Sequence, residues 1–237
     1  MLTASPVLFI CFLAAAVIIA LIFTIRRGTK TDAVSLLLKT IASLLFILLG
    51  LTGCFFSSLP VPMLALFMVF GLVCGLVGDV FLDLKYVYPQ DETLHTFTGF
   101  GAFMLGHCFY TLFLFLNYEI KTAHFLISIA AGILLAIVIY ATPKLMKLDY
   151  GKYRIISSVY AGLLVFVTVY ALLLEVASGH SVSKLLFFIG IVLFLLSDLI
   201  LSQIYFGENK NTTGNKIANH LTYYLGQILI AASIWFL

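Results

Sequence analysis

Charge is what this 237-residue sequence has least of: 13 Lys and Arg with 10 Asp and Glu make up 10% of it, against about 25% in an ordinary soluble domain. So few charges cannot cover the surface of a 26.2 kDa globule, and a soluble fold is excluded. A formal net charge of +3 with no basic face neutralises few phosphates, which excludes nucleic-acid binding. The four cysteines, Cys11, Cys54, Cys74 and Cys108, form no C-x-x-C pair and lie in or beside apolar runs. They read as small membrane hydrophobes and not as a disulfide framework or a zinc site. There is no G-x-S-x-G elbow and no H-E-x-x-H, which disfavours acyl transfer by serine and the zinc-protease pattern.

What fills the space is apolar: 63% of the residues, with a mean hydropathy of +1.17. A helix crossing lipid needs about 20 apolar residues, because every backbone amide must be satisfied within the segment. Eight runs qualify, approximately Val7 to Ile25, Val34 to Thr52, Pro62 to Leu82, Thr96 to Leu116, Ala123 to Ala141, Ile155 to Val176, Lys184 to Tyr205 and Ile217 to Leu237. The expected fold is an all-α polytopic membrane bundle of eight transmembrane helices. It forms one domain over residues 1–237, with halves at 1–118 and 119–237. Gly28, Gly53, Pro60, Pro89, Pro143, Gly151, Gly179, Gly207 and Gly214 mark the expected joints. The first run has no basic residue before Arg26 and is too long for a signal-peptide core, so it reads as a retained helix.

Loop charge orients the bundle. Arg26, Arg27, Lys30, Lys39, Lys85, Lys144, Lys147, Lys152, Arg154, Lys210 and Lys216 fall at one end of the spans, and only Lys121 and Lys184 at the other. The positive-inside rule then puts both termini on the non-cytoplasmic side. The Asn211-Thr212-Thr213 sequon would face the cytoplasm and escape glycosylation.

The third and seventh runs echo one another, Gly78-Asp79-Val80-Phe81-Leu82 against Ser197-Asp198-Leu199-Ile200-Leu201. Leu105-Gly106-His107 follows the first, and Leu225-Gly226-Gln227 follows the second at nearly the same distance. Duplication into two parallel four-helix halves and chance similarity among abundant Leu and Gly both account for this.

Ionisable groups inside a membrane are expensive and are functional candidates by default. At a rise of about 1.5 Å per residue, Asp79 and Lys39 lie roughly 9 Å, Asp198 roughly 13 Å, and His107 and Gln227 roughly 16–18 Å from the cytoplasmic helix ends. Tyr110 shares a helix face with His107, and Tyr223 with Gln227. Bland readings stand beside the functional ones. Lys39 could snorkel, Asp83 could be a solvated or paired interfacial residue, and His107 and Gln227 could make structural interhelical hydrogen bonds. Asp79 and Asp198 could simply pair with Lys39. Two acids sharing a low-dielectric site do not both stay ionised, so one keeps its proton, which makes a general acid/base dyad. His107 and the two aspartates could offer ligands to a metal. The three-histidine pattern of membrane zinc hydrolases is missing, and neither a metal nor a nucleotide or redox cofactor is expected.

At these residues the chain resembles the YhhN family of eight-span membrane proteins, whose characterised animal members are lysoplasmalogenases. The likeness rests on Gly78 to Leu82, on Phe97, Gly99, Phe103, His107 and Tyr110, on Ser197 to Leu201, and on Tyr223-Tyr224-Leu225-Gly226-Gln227. Two positions depart from the family pattern: Thr40 follows Lys39 where proline is often seen, and Gly226 precedes Gln227 in place of alanine. The resemblance implies hydrolysis of the vinyl ether bond of a lysoplasmalogen, a lysophospholipid held in the bilayer, to a fatty aldehyde and glycerophosphoethanolamine or glycerophosphocholine. Protonating the double bond makes an oxocarbenium ion, a problem that glycosidases meet with two carboxyl groups. Asp79 and Asp198 would be catalytic. Lys39, His107, Tyr110, Tyr223 and Gln227 would bind substrate or water, Lys39 at the phosphate or as a counter-charge to an aspartate. The alternative is a secondary transporter or flippase for a small amphiphile.

Overall fold

The computed structural model describes residues 4–56, 62–119, 121–177 and 179–237. These form eight long helices: α1 (Ala4–Arg27), α2 (Ala33–Phe56), α3 (Pro62–Val87), α4 (Glu92–Asn117), α5 (Thr122–Ala141), α6 (Arg154–Ala177), α7 (Val182–Phe206) and α8 (Thr213–Ser233). Short 3₁₀ turns occupy Pro89–Asp91, Gly151–Tyr153 and Ile234–Phe236, and no strand occurs among the described residues. Seven of the helices, all but α8, are long and apolar enough to cross a membrane. The eighth falls short because it carries Asn219, His220 and Gln227, and these are buried inside the bundle.

Local signals explain several boundaries. The Asp32 carboxylate opens α2 by accepting from the Ser35 backbone N at 2.9 Å and the Ser35 hydroxyl at 2.8 Å. Those bonds, helped by Arg26, hold its carboxyl well below the usual carboxylate range, at about 2. The eighth helix starts four residues before the expected Ile217, because the Thr212 side chain caps it by accepting from the Asn215 N–H. It also ends at Ser233, ahead of the expected Leu237. Gly53 and Gly214, read as joints, lie inside α2 and at the start of α8. Gly53 is there for contact, since a Cβ at that position would come within 2.8 Å of the Ile234 backbone. Pro60 lies outside the described residues.

Sequential helices pack in pairs, most extensively α3 on α4, α7 on α8 and α5 on α6. Glycines make the close crossings. A Cβ on Gly106 would lie 3.0 Å from the Gly71 carbonyl oxygen, and one on Gly226 would lie 2.7 Å from that of Gly190. Gly71 and Gly190 each stand eight residues before an aspartate, Asp79 and Asp198, and Gly106 and Gly226 each stand one residue before His107 and Gln227. The two echoed segments therefore place their helix pairs in contact at matching points. We expect Gly190→Ala to lower stability by about 1–3 kcal/mol, since the overpacking strain falls on backbone that cannot move aside. Thermal unfolding in detergent reads this directly, and a variant as stable as the parent would refute the close crossing.

The first turns of α1 and the end of the chain lie at one end of the bundle. The Phe9 ring on α1 is 4.7 Å from that of Trp235, the residue two before the chain's last. The opposite end, counting its connections together with the adjoining helix turns, carries most of the basic residues.

Candidate active site

Near the basic end, five helices converge on one polar cluster in an otherwise apolar core. Arg27, in the last turn of α1, donates from Nη2 to Asp83 Oδ1 at 3.0 Å. Lys39 Nζ, from α2, donates to the same oxygen at 3.1 Å and lies 3.3 Å from Asp79 Oδ1. Asp79 and Asp83 stand one turn apart on α3, which is why a single lysine reaches both. All four side chains are buried. The result is a chain of alternating charge, Arg27, Asp83, Lys39, Asp79, with two cations against two anions. Of the readings of Lys39, snorkelling does not describe it, because its ammonium is turned inward onto two carboxylates.

The other oxygen of Asp79 accepts two hydroxyls, Ser43 Oγ at 2.6 Å and Tyr223 Oη at 2.7 Å. Behind Tyr223 the line continues. Gln227 Nε2 donates to Tyr223 Oη at 3.2 Å, and Tyr110 Oη donates to Gln227 Oε1 at 3.3 Å. Three of the expected site residues, Tyr110, Gln227 and Tyr223, thus lead in sequence to one carboxylate, drawn from α4 and α8. These side chains sit in apolar surroundings, where a satisfied polar chain fixes geometry and an unsatisfied one is costly.

Asp198, on α7, is placed differently. Tyr160 on α6 donates to its Oδ2, and the Ser197 hydroxyl reaches its Oδ1 only weakly, at 3.4 Å. No ion pair includes it among the described residues. Asp198 is partly exposed, and its exposed face opens on a cavity of about 40 Å³ whose wall also holds Asp79, Asp83, Lys39, Arg27, Asn219 and Tyr223. By volume this chamber holds about three waters, at roughly 10–15 Å³ for each. The two aspartates therefore face one small space.

His107 is not in that wall. Its ring lies 4.9 Å from Phe194 and 5.7 Å from Tyr160, and neither nitrogen has a hydrogen-bond partner among the described residues. It stands behind Tyr160, one layer from the aspartates. Sequence reasoning passed over Arg27, Ser43, Tyr160 and Asn219. Of the readings of Asp83, pairing holds, but the residue is buried and bridges Arg27 and Lys39 instead of lying solvated at the interface.

Two further cavities adjoin the chamber. A slot of about 60 Å³ with an almost wholly apolar wall, including Phe100, Leu135, Ile139, Leu164 and Leu195, runs between α5, α6 and α7 and ends on Asp198. A larger vestibule of about 720 Å³ opens at the basic end, lined by Lys85, Tyr86, Glu92, Asp149, Tyr150 and Lys152 among others. Tyr205 belongs to the wall of all three. The chamber is thus flanked by an oily space on one side and a polar, water-accessible one on the other, as an amphiphilic ligand would require.

Comparison with known proteins adds one positive result: a model described as the YhhN family matches residues 34–234. No curated protein and no solved structure matches the chain.

Proposed function

The chain belongs to the YhhN family, and from that premise we propose that it is a membrane hydrolase of lysoplasmalogen, with Asp198 as general acid and Asp79 as general base. The products are a fatty aldehyde and glycerophosphoethanolamine or glycerophosphocholine. The observation that carries the reading is the pairing of two unlike aspartates on one small chamber.

Charge balance assigns their roles. Arg27 and Lys39 are already matched by Asp83 and Asp79. A negative charge on Asp198 would have no cation beside it and would face the apolar slot, so we assign it the role of the acid. Asp79 has the opposite surroundings: it is buried, but a lysine beside one oxygen and two hydroxyls donating to the other give a carboxylate there its partners, so we assign it the role of the base. Tyr160 donates to Oδ2 of Asp198 and Ser197 reaches Oδ1 only weakly, so we assign the acid proton to Oδ1.

In the proposed reaction, Asp198 gives that proton to the outer carbon of the vinyl ether double bond, leaving an oxocarbenium ion at the carbon bonded to oxygen. Asp79 takes a proton from water as the water adds to this carbon, which forms a hemiacetal. On collapse, Asp79 returns its proton to the departing glycerol oxygen and Asp198 takes the one on the hemiacetal hydroxyl. Both carboxyls end as they began, and one water is consumed. Tyr223, Gln227 and Tyr110 hold Asp79 in position. Lys39 acts here as its counter-charge, the second of the two roles expected of it, and His107 backs Tyr160.

The setting belongs to the same reading. We take all eight long helices to cross the membrane, the two echoed halves to be parallel repeats, and both termini to face away from the cytoplasm.

Incubating the purified protein in detergent with a lysoplasmalogen and with its acyl counterpart tests the function. Aldehyde from the first and no fatty acid from the second is the expected outcome. Fatty acid release would replace the proposal with a lysophospholipase, and an intact lipid would favour a transporter, which needs a sealed bilayer to act. The mechanism makes a sharper forecast. In heavy water the aldehyde should carry one deuterium on the carbon next to its carbonyl, and mass spectrometry that found none would exclude protonation of the double bond.

A further inference from the structure

Lys85 lies near the end of α3, where the vestibule meets the reaction chamber, and is 8% exposed. Its ammonium sits 3.3 Å above the Tyr205 ring and 5.2 Å from the Tyr86 ring. It makes no ion pair and no hydrogen bond among the described residues. Glu92 and Asp149 line the same vestibule without reaching it, and Lys152 is held to Thr93. Every other buried cation of this end has a carboxylate: Arg27 has Asp83, and Lys39 has Asp83 and Asp79. An ammonium carries three donors, and aromatic faces satisfy its charge only in part. Lys85 is therefore a buried donor group on the wall of a large polar cavity, with no carboxylate at ion-pair distance among the described residues; Glu92 and Asp83 act on it only from farther away.

Position gives the anion a place in the substrate. Lys85 is six residues beyond Asp79 on the same helix, about 9 Å along its axis. The chamber and the vestibule share Tyr86, Ile204 and Tyr205 in their walls. In a lysophospholipid, a glycerol backbone separates the sn-1 ether oxygen from the phosphate. With only the first carbons of the alkenyl chain in the apolar slot and the ether at Asp198, the phosphate emerges toward the vestibule. Lys39, expected as one candidate for this contact, is enclosed by two carboxylates and has little left to offer an anion.

We infer that Lys85 is the residue that binds the substrate's phosphodiester, with the vestibule as the headgroup site. The Tyr205 and Tyr86 rings hold its ammonium from the protein side, and the phosphate takes the donors that the protein leaves open. The inference rests on the reading of the substrate as a lysophospholipid, although its test needs no turnover.

Binding of a saturated 1-O-alkyl lysophosphoethanolamine, which has no vinyl bond to cleave, is to be measured by calorimetry in detergent. The matched 1-O-alkylglycerol, lacking the phosphate, and inorganic phosphate serve as comparison ligands. Lys85→Met should weaken the phospholipid analogue by about 10- to 100-fold, as loss of a charge-assisted contact does. It should leave the alkylglycerol within about twofold, and Lys85→Arg should restore most of the loss. Equal weakening of both lipids would mean that Lys85 serves the fold and would overturn the assignment. Unchanged binding of the phospholipid analogue, or failure of the parent protein to bind it, would also overturn it. Inorganic phosphate competing as strongly as the lipid would make this an ion site and not a headgroup site. Because these ligands are uncleavable, an absence of vinyl ether hydrolysis would count against the enzymatic reading and leave this binding result to stand or fall separately.

Discussion

Asp198→Asn should lower vinyl ether hydrolysis by about 10²- to 10⁴-fold, the usual contribution of a positioned general acid, with the fold intact. Asparagine keeps the size and planar shape of the side chain and still offers an oxygen to Tyr160. No ion pair is lost, since Asp198 makes none among the described residues. Folding and catalysis therefore separate cleanly at this position. Initial rates of aldehyde release, taken with a thermal midpoint from the same preparation, give both numbers. A midpoint within a few degrees of the parent and a residual rate of a hundredth or less is the expected pair. Retention of more than a tenth of the parent rate would remove Asp198 from the chemistry.

A different outcome is expected at Lys39, the hinge of the charge chain. Lys39→Met leaves Asp79 and Asp83 facing one remaining cation, Arg27, which touches only Asp83. Removing one partner of a buried pair strands the other, at a cost of about 3–5 kcal/mol. Activity should be lost as well, because Asp79 loses the counter-charge that supports it as the base. The informative variant is the double one. Lys39→Met with Asp79→Asn leaves Arg27 and Asp83 as a balanced pair, so most of the stability should return while the enzyme stays inactive. Denaturant unfolding in mixed micelles and the rate assay together measure this cycle. A double variant no more stable than Lys39→Met alone would show that the cluster is not held by charge balance.

How much of this site is readable in the sequence depends on the residue type. An aspartate within an apolar run has few bland explanations, and Asp79 and Asp198 stand out for that reason. Helix periodicity then links Tyr223 to Gln227, and depth along the helix brings Tyr110 to the same level. Tyr160 and Ser43 carry no such mark. Tyrosines and serines are ordinary in membrane helices, and only the packing of α6 against α7 and of α2 against α3 turns these two onto carboxylates. Arg27 is hidden by a sequence rule. Counted among loop charges, it orients the chain, but the last turn of α1 tucks its side chain under the Tyr86 ring, 4.4 Å away, and onto Asp83. The helices themselves are legible to within a few residues. At the start of α8 hydropathy misses one turn, because Thr213 to Lys216 are polar or small and lie at the exposed end of the helix.

The position of Tyr205 where slot, chamber and vestibule meet bears on how a turnover would finish. Cutting an amphiphile yields one fragment that prefers oil and one that prefers water. Each already lies in the compartment it dissolves in, so neither need retrace the path of the other. Release in two directions would keep accumulated aldehyde from obstructing the exit of the glycerophosphate fragment, and inhibition by the two products should accordingly be independent.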